Sequence, residues 1–320
     1  MTKSICITLF SILAASCAHQ YETSDPEKEY IEVTESKRIN PSEPIVVDGV
    51  KITNLQFDLP VLVNPAVEKW VSYFRTSGRN LFERYLERGS VYQKIITDIL
   101  LSHGLPQDLF YVALIESGFN KGAVSHAAAV GPWQFIASTG KNYGLNMNYW
   151  VDERRDIVKA TNAASRFFAD LYGQFGDWEL ATAAYNAGPA KISNAKRRYN
   201  SNDFWTLRRS RYIKPETDNY VPKWMAAAII DKNREAFGFD HVANAQGRTW
   251  DEVTLEKSVD LYELAQKLEC TYAELRDLNP ELRQWVTPPD TSYSLRVPAG
   301  LQNQTYVCLL YTSDAADEED

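Results

Sequence analysis

From Pro65 onward the apolar residues fall three and four apart. Val67, Trp70, Val71 and Phe74, then Leu81, Phe82, Tyr85 and Leu86, line one face of a 3.6-residue period, the pattern of an amphipathic helix. A second run from Val91 to Leu101 carries Ile95, Ile96, Ile99 and Leu100 and stops at His103-Gly104, a helix-ending pair. Pro106 is suited to open the next helix, because proline is tolerated at a first helical position. Leu109, Phe110, Ala113 and Leu114 follow it and lead directly to Glu116. Further helices are expected from about 157 to 175, 178 to 186 and 220 to 234. Period-two alternation is nearly missing before residue 250, so the body of the chain is expected to be mainly α.

The 320 residues suffice for one substantial core and a small second domain. A formal charge of -8 argues against a nucleic-acid partner, which would require a basic footprint. The ends distort that charge. Residues 308–320, CLLYTSDAADEED, resemble the translation of a sequencing-library adapter, and five acids lie in them. Without these and Lys3, 33 bases face 37 acids, a charge of -4. The expectation is that 308–320 are an artefact and that the natural chain continues past Val307; a genuine acidic tail is the alternative.

At the other end, residues 1–16 have one basic residue, an apolar stretch from Ile5 to Leu13 and small residues before Cys17. The stretch is too short to span a bilayer and reads as a signal peptide. The small residues resemble a bacterial lipobox, which would make Cys17 a lipidated first residue; a plain secretory signal is the other reading. Ala18 in place of Asp points to the periplasmic face of the outer membrane of a Gram-negative cell. Residues 17–45 are polar and acidic with no hydrophobic period, a flexible tether. With Cys6, Cys17 and Cys308 accounted for, Cys270 stands alone, and the four histidines lack ligand spacing. No metal is expected.

The remainder divides into an N-terminal helical region at 46–100, a main domain at 101–240 and a module at 251–300. In the module, Leu261, Leu264, Ala265 and Leu268 form one helix face and Leu275 and Leu278 a second, before Tyr293 to Val297 alternate as a strand.

Glu116 is the residue to explain. An acid that ends an apolar helix and precedes Gly118 can sit half-buried at a cleft floor, where burial raises its pKa toward that of a proton donor. Alone, such a Glu is usually a solvated surface charge. Its neighbours add weight. Gly131-Pro132-Trp133-Gln134-Phe135 sets an aromatic ring beside an amide, and Tyr185-Asn186 and then Tyr220 supply more of both. Aromatic faces stack on sugar rings, and amides hydrogen-bond N-acetyl groups. Each ring taken singly is more often core packing.

Four ordered segments together carry a resemblance: Glu116-Ser117, Gly131 to Phe135, Ala184 to Asn186, and Glu216 to Val221. They resemble the family 1 lytic transglycosylases (SLT domain), whose fold is lysozyme-like and helical, and Asp152 to Asp156 is similar to the D subgroup. Residues 251–300 are similar to the LysM fold, a small α+β unit of two helices on a two-stranded sheet. The resemblance implies an enzyme that acts on peptidoglycan glycan strands and cleaves between N-acetylmuramic acid and N-acetylglucosamine. Glu116 would act as acid and then base, the muramic 6-hydroxyl closing a 1,6-anhydro ring with no water entering. By the same resemblance Ser117 orients Glu116 or touches substrate, Gln134 and Asn186 bind acetamido groups, and Tyr185 and Tyr220 line the cleft. No cofactor is implied. Asp152, Asp156 and Glu216 remain open as second acids. In the resemblance they are structural, with Asp152 and Asp156 capping or pairing with Arg154 and Arg155. Two other readings stay open, a lysozyme-type hydrolase and a catalytically silent wall-binding protein.

Overall fold

The computed structural model describes residues 37–38, 45–120, 122–210, 212–245, 247–289 and 291–317. The signal segment, Cys17 and nearly all of the expected tether lie outside them. The tether is not wholly without structure, however, because β1 (Lys37–Arg38) pairs antiparallel with a strand past residue 60. A hairpin of β2 (Ile45–Val47) and β3 (Val50–Ile52) follows, and β4 (Leu62–Val63) completes the pair with β1. These pairs are two and three residues long, too short for a periodic signal.

Helix α1 (Pro65–Arg75) starts under a full cap, the Asn64 side chain accepting from the Ala66 and Val67 amides. It ends where the Gly78 amide turns back to Tyr73 O, and α2 (Arg79–Ser102) then runs unbroken. The chain therefore breaks at Thr76 to Gly78, and the two apolar runs on either side of Gly89-Ser90 belong to one helix. Ser90 is accommodated because its hydroxyl donates to Glu87 O within the helix.

After a 3₁₀ turn at Gln107–Leu109 comes α3 (Phe110–Ser117). Residues 110–115 and Ser117 are all buried. A helix apolar on every side belongs inside a core. α4 (Ala137–Asn142) is short; α5 (Ile157–Phe175) and α6 (Trp178–Ala187) start under Asp156 and Asp177 caps. α7 (Pro189–Tyr199), α8 (Phe204–Arg208), α9 (Pro215–Lys232) and α10 (Arg234–Phe237) complete the helical body. α9 is buried along most of its length and packs on α1, α3 and α6, so it is the axis of the core.

The small second unit has two antiparallel strands, β5 (Trp250–Leu255) and β6 (Tyr293–Pro298), in register from Trp250↔Pro298 to Leu255↔Tyr293. α11 (Leu261–Lys267) and α12 (Tyr272–Leu278) lie between them, α12 under a capping box of Thr271 and Glu274. α13 (Gln302–Asp317) follows, and Leu301, Cys308 and Leu309 pack on the unit's own core. The packing thus continues past residue 300 into the segment set apart as an artefact.

The two units join through backbone. The Asp152 amide donates to Glu281 O at 2.8 Å, and the Arg283 amide to Trp150 O at 2.8 Å. Beneath these bonds Arg296 of β6 forms a 2.7 Å ion pair with Asp156, which is fully buried.

Candidate active site

The α3 helix ends because Gly118 turns left-handed, φ 51°, its amide closing on Leu114 O. A side chain there would overlap the Tyr85 ring, since a Cβ would lie 2.1 Å from Tyr85 Cδ1. The last turn is thereby fixed with Glu116 as the one residue of α3 that is only half-buried.

Tyr220, on α9, donates its hydroxyl to Glu116 Oε1 at 2.6 Å. Burial pushes the Glu116 carboxyl up to about 7 against the Tyr220 hydrogen bond and the Lys223 charge, both of which favour the anion; the Glu216 charge adds to the rise. Near neutral pH such a carboxyl is shared between acid and base forms. Both nearby phenols stay protonated: burial first, then the Glu116 charge, holds Tyr220 and Tyr185 well above the usual value of 10.

The second wall is the loop 128–135. Gly131, at φ 85°, lies so close to the next turn that a Cβ would fall 1.7 Å from Arg154 O. Only glycine fits. Tyr185 donates to Trp133 O at 2.6 Å and stacks on Phe168, which ties α6 to this loop beside Glu116.

Gln134 is half-buried with φ 50°, and its amide NH2 donates to Gly131 O at 2.8 Å. That bond ties the side chain to the loop's own backbone. Asn186 joins α6 to α9, donating to Glu216 Oε1 at 3.2 Å and accepting from Thr217 at 2.7 Å.

Two side chains turn inward. Trp133 is not a sugar-stacking face: it is fully buried, and its indole N–H donates to Thr161. Ser117 does not bond Glu116. Its hydroxyl donates to Pro132 O at 3.0 Å and accepts from the Phe119 amide, so it ties the end of α3 to the loop.

Asp152 forks onto Arg154 at 2.9 Å, whereas Asp156 caps α5 and takes its partner, Arg296, from the far unit. Glu216 is the acid whose charge reaches Glu116. Thr217 lay inside the Glu216 to Val221 segment without a role of its own, and Lys223 went unnoticed. Their signal was helical spacing around Tyr220, three residues either side, once 215–232 is known to be one helix. Among the described residues no cluster of three or more His, Cys, Asp or Glu is placed to hold a metal.

The chain matches the Transglycosylase SLT domain family over residues 98–208 and the Lytic transglycosylase MltD, LysM-like domain family over 249–308. The chain therefore carries a Transglycosylase SLT domain followed by an MltD-type LysM-like domain. The SLT match takes in Glu116, the loop and Tyr185-Asn186; Tyr220 lies beyond it. Membrane-bound lytic murein transglycosylase D of Escherichia coli (strain K12) is 34% identical over 197 residues, 60% of this chain and 43% of that protein. The same protein of E. coli O6:H1 matches equally. A protein named for tributyltin chloride resistance in Alteromonas sp. (strain M-1) is 38% identical over 111 residues, 33% of this chain and 53% of that one. The alignments span less than half the length of the E. coli relatives.

Proposed function

We propose that this protein is a peptidoglycan lytic transglycosylase that cleaves the β-1,4 bond between N-acetylmuramic acid and N-acetylglucosamine and leaves 1,6-anhydro ends. The observation that carries this reading is a single half-buried Glu116, its pKa raised to about 7 and its carboxyl held by Tyr220, on an SLT scaffold.

The protonated Glu116 donates to the glycosidic oxygen as the C1–O bond breaks. The muramic 2-acetamido carbonyl steadies the cationic C1. Glu116, now a carboxylate, takes the proton of the 6-hydroxyl as that oxygen bonds to C1. The cycle returns the proton and consumes no water. A pKa near the working pH suits one group to both steps. The Tyr220 bond fixes one carboxyl oxygen and leaves the other for substrate. Gln134 and Asn186 are the proposed acetamido contacts, Tyr185 and Tyr220 the proposed cleft wall, and Ser117 acts through the loop. The same reading carries the lipid anchor at Cys17 and a place at the periplasmic face of the outer membrane. It agrees with the membrane-bound relative, and no described helix is long and apolar enough to cross a membrane.

Digestion of purified sacculi tests it. The expected muropeptides are one water lighter than hydrolysis products and lack a reducing end. Glu116→Gln is expected to lower release by about 10³-fold with binding to sacculi intact. Reducible ends would turn the reading toward a lysozyme-type hydrolase, and unchanged release by the variant would remove Glu116 as the acid.

A further inference from the structure

The joint between the two units lies directly behind the loop that walls the site. Arg296, on β6 of the LysM-like module, reaches Asp156 at 2.7 Å, and Asp156 caps α5 by accepting from the Lys159 amide. One turn into α5, Thr161 accepts from the indole of Trp133 at 2.9 Å. The loop then touches the catalytic machinery twice, through Trp133 O with Tyr185 and through Pro132 O with Ser117.

A parallel route leaves the same joint. The module's Glu281 carbonyl holds the Asp152 amide, and Asp152 forks onto Arg154. Arg154 in turn donates to Ala128 O at 3.1 Å and Phe135 O at 3.0 Å, the two ends of the loop, while its own carbonyl abuts Gly131. The turn at 152–156 is thus clamped by the module on one side and grips the loop on the other.

We infer that the LysM-like module is a buttress for the catalytic loop, and that Arg296, acting through Asp156, is a positioning residue for Glu116 and Tyr185. Buried ion pairs hold one geometry because any displacement strands a charge in an apolar setting. Catalytic geometry is that sensitive, since misplacement by about 1 Å costs on the order of a hundredfold in rate. The inference rests on the lytic transglycosylase reading for its catalytic half only.

Two variants of the full chain test it. Asp156→Asn keeps a capping oxygen for α5 but drops the charge that meets Arg296; Arg296→Lys keeps the charge but shortens the reach. Each is expected to lower kcat on soluble glycan strands roughly tenfold with KM within about twofold, because the cleft remains while its alignment loosens. In hydrogen exchange of the same proteins, peptides across 128–136 should exchange faster than in wild type. Wild-type kcat in both variants overturns the inference, as does a fall in kcat with unchanged exchange across 128–136. If the wild-type chain yields no anhydro products, the transglycosylase reading falls, and the exchange comparison still decides the coupling.

Discussion

Among the described residues, a half-buried and a fully buried glutamate each accept a tyrosine hydroxyl. In the helical body Tyr220 donates to Glu116 at 2.6 Å; in the module Tyr293 donates to Glu281 at 2.7 Å. Burial raises both carboxyls above the usual glutamate range. They part company in what else is enclosed with them. Glu281 is 2% exposed, and the Arg296 charge opposes the rise caused by burial and Asp156. At Glu116 burial and the Glu216 charge drive the rise, only the Tyr220 phenol and the Lys223 charge oppose it, with no guanidinium among them, and one side of the carboxyl is open. A carboxylate–phenol pair sealed with an arginine is a structural joint. The same pair without the arginine, set at a helix end with one side open, has its carboxyl raised to about 7.

Removing the arginine is the largest way to break the comparison. Arg296→Met would leave Asp156 and Glu281 buried with like charge and without the guanidinium that sits between them, and breaking a buried pair from one side costs about 3–5 kcal/mol. Denaturant unfolding of the full chain should register that loss in the midpoint. A change below about 1 kcal/mol would mean that the joint is hydrated or rearranged and that the two glutamates differ less than their surroundings suggest.

The second test acts on the other glutamate through pH. Glu116 has its pKa raised from 4.5 to about 7 in the folded chain. Its contribution to stability is therefore fully present below about 4.5 and lost as pH rises through about 7. Gln cannot ionise, so Glu116→Gln should be more stable than wild type at pH 8, with the gap closing toward pH 4. At about 1.4 kcal/mol per pH unit the margin is on the order of 2–3 kcal/mol, reduced by the open side of the carboxyl. Thermal melts at the two pH values measure it. A margin independent of pH would show that the proton is not held there.

The same contrast explains what the sequence could reveal. α5 and α6 were legible almost to the residue because their signals are local: an apolar period, an aspartate cap before it and a glycine after it. The LysM-like unit was legible for the same reason, except that α13 and the buried side of Cys308 lay beyond the boundary drawn for it. The direction of a side chain was not. Trp133 carries the composition of a stacking face and is packed in the core, and Ser117 faces the loop rather than its neighbour Glu116. Asp156 shows the limit most clearly, because its partner lies 140 positions away and is brought to it by a domain joint that no local period encodes.

The mildest test removes only the phenol. The Tyr220 hydroxyl favours the Glu116 anion, so Tyr220→Phe should move the Glu116 pKa above about 7. Two effects on turnover then oppose each other. The protonated form persists to higher pH, so the alkaline fall of the rate should shift upward. The carboxyl also loses the bond that selects its rotamer, and a hydrogen bond to a charged group is worth about 1.5–3 kcal/mol, so the maximum rate should drop by roughly tenfold or more. The ring stays, because α9 holds it in the core with 6% exposure. An upward-shifted profile with a lower plateau is the outcome that marks Tyr220 as acting on the proton; a uniform loss at every pH would reduce it to packing and leave Glu116 tuned by burial alone.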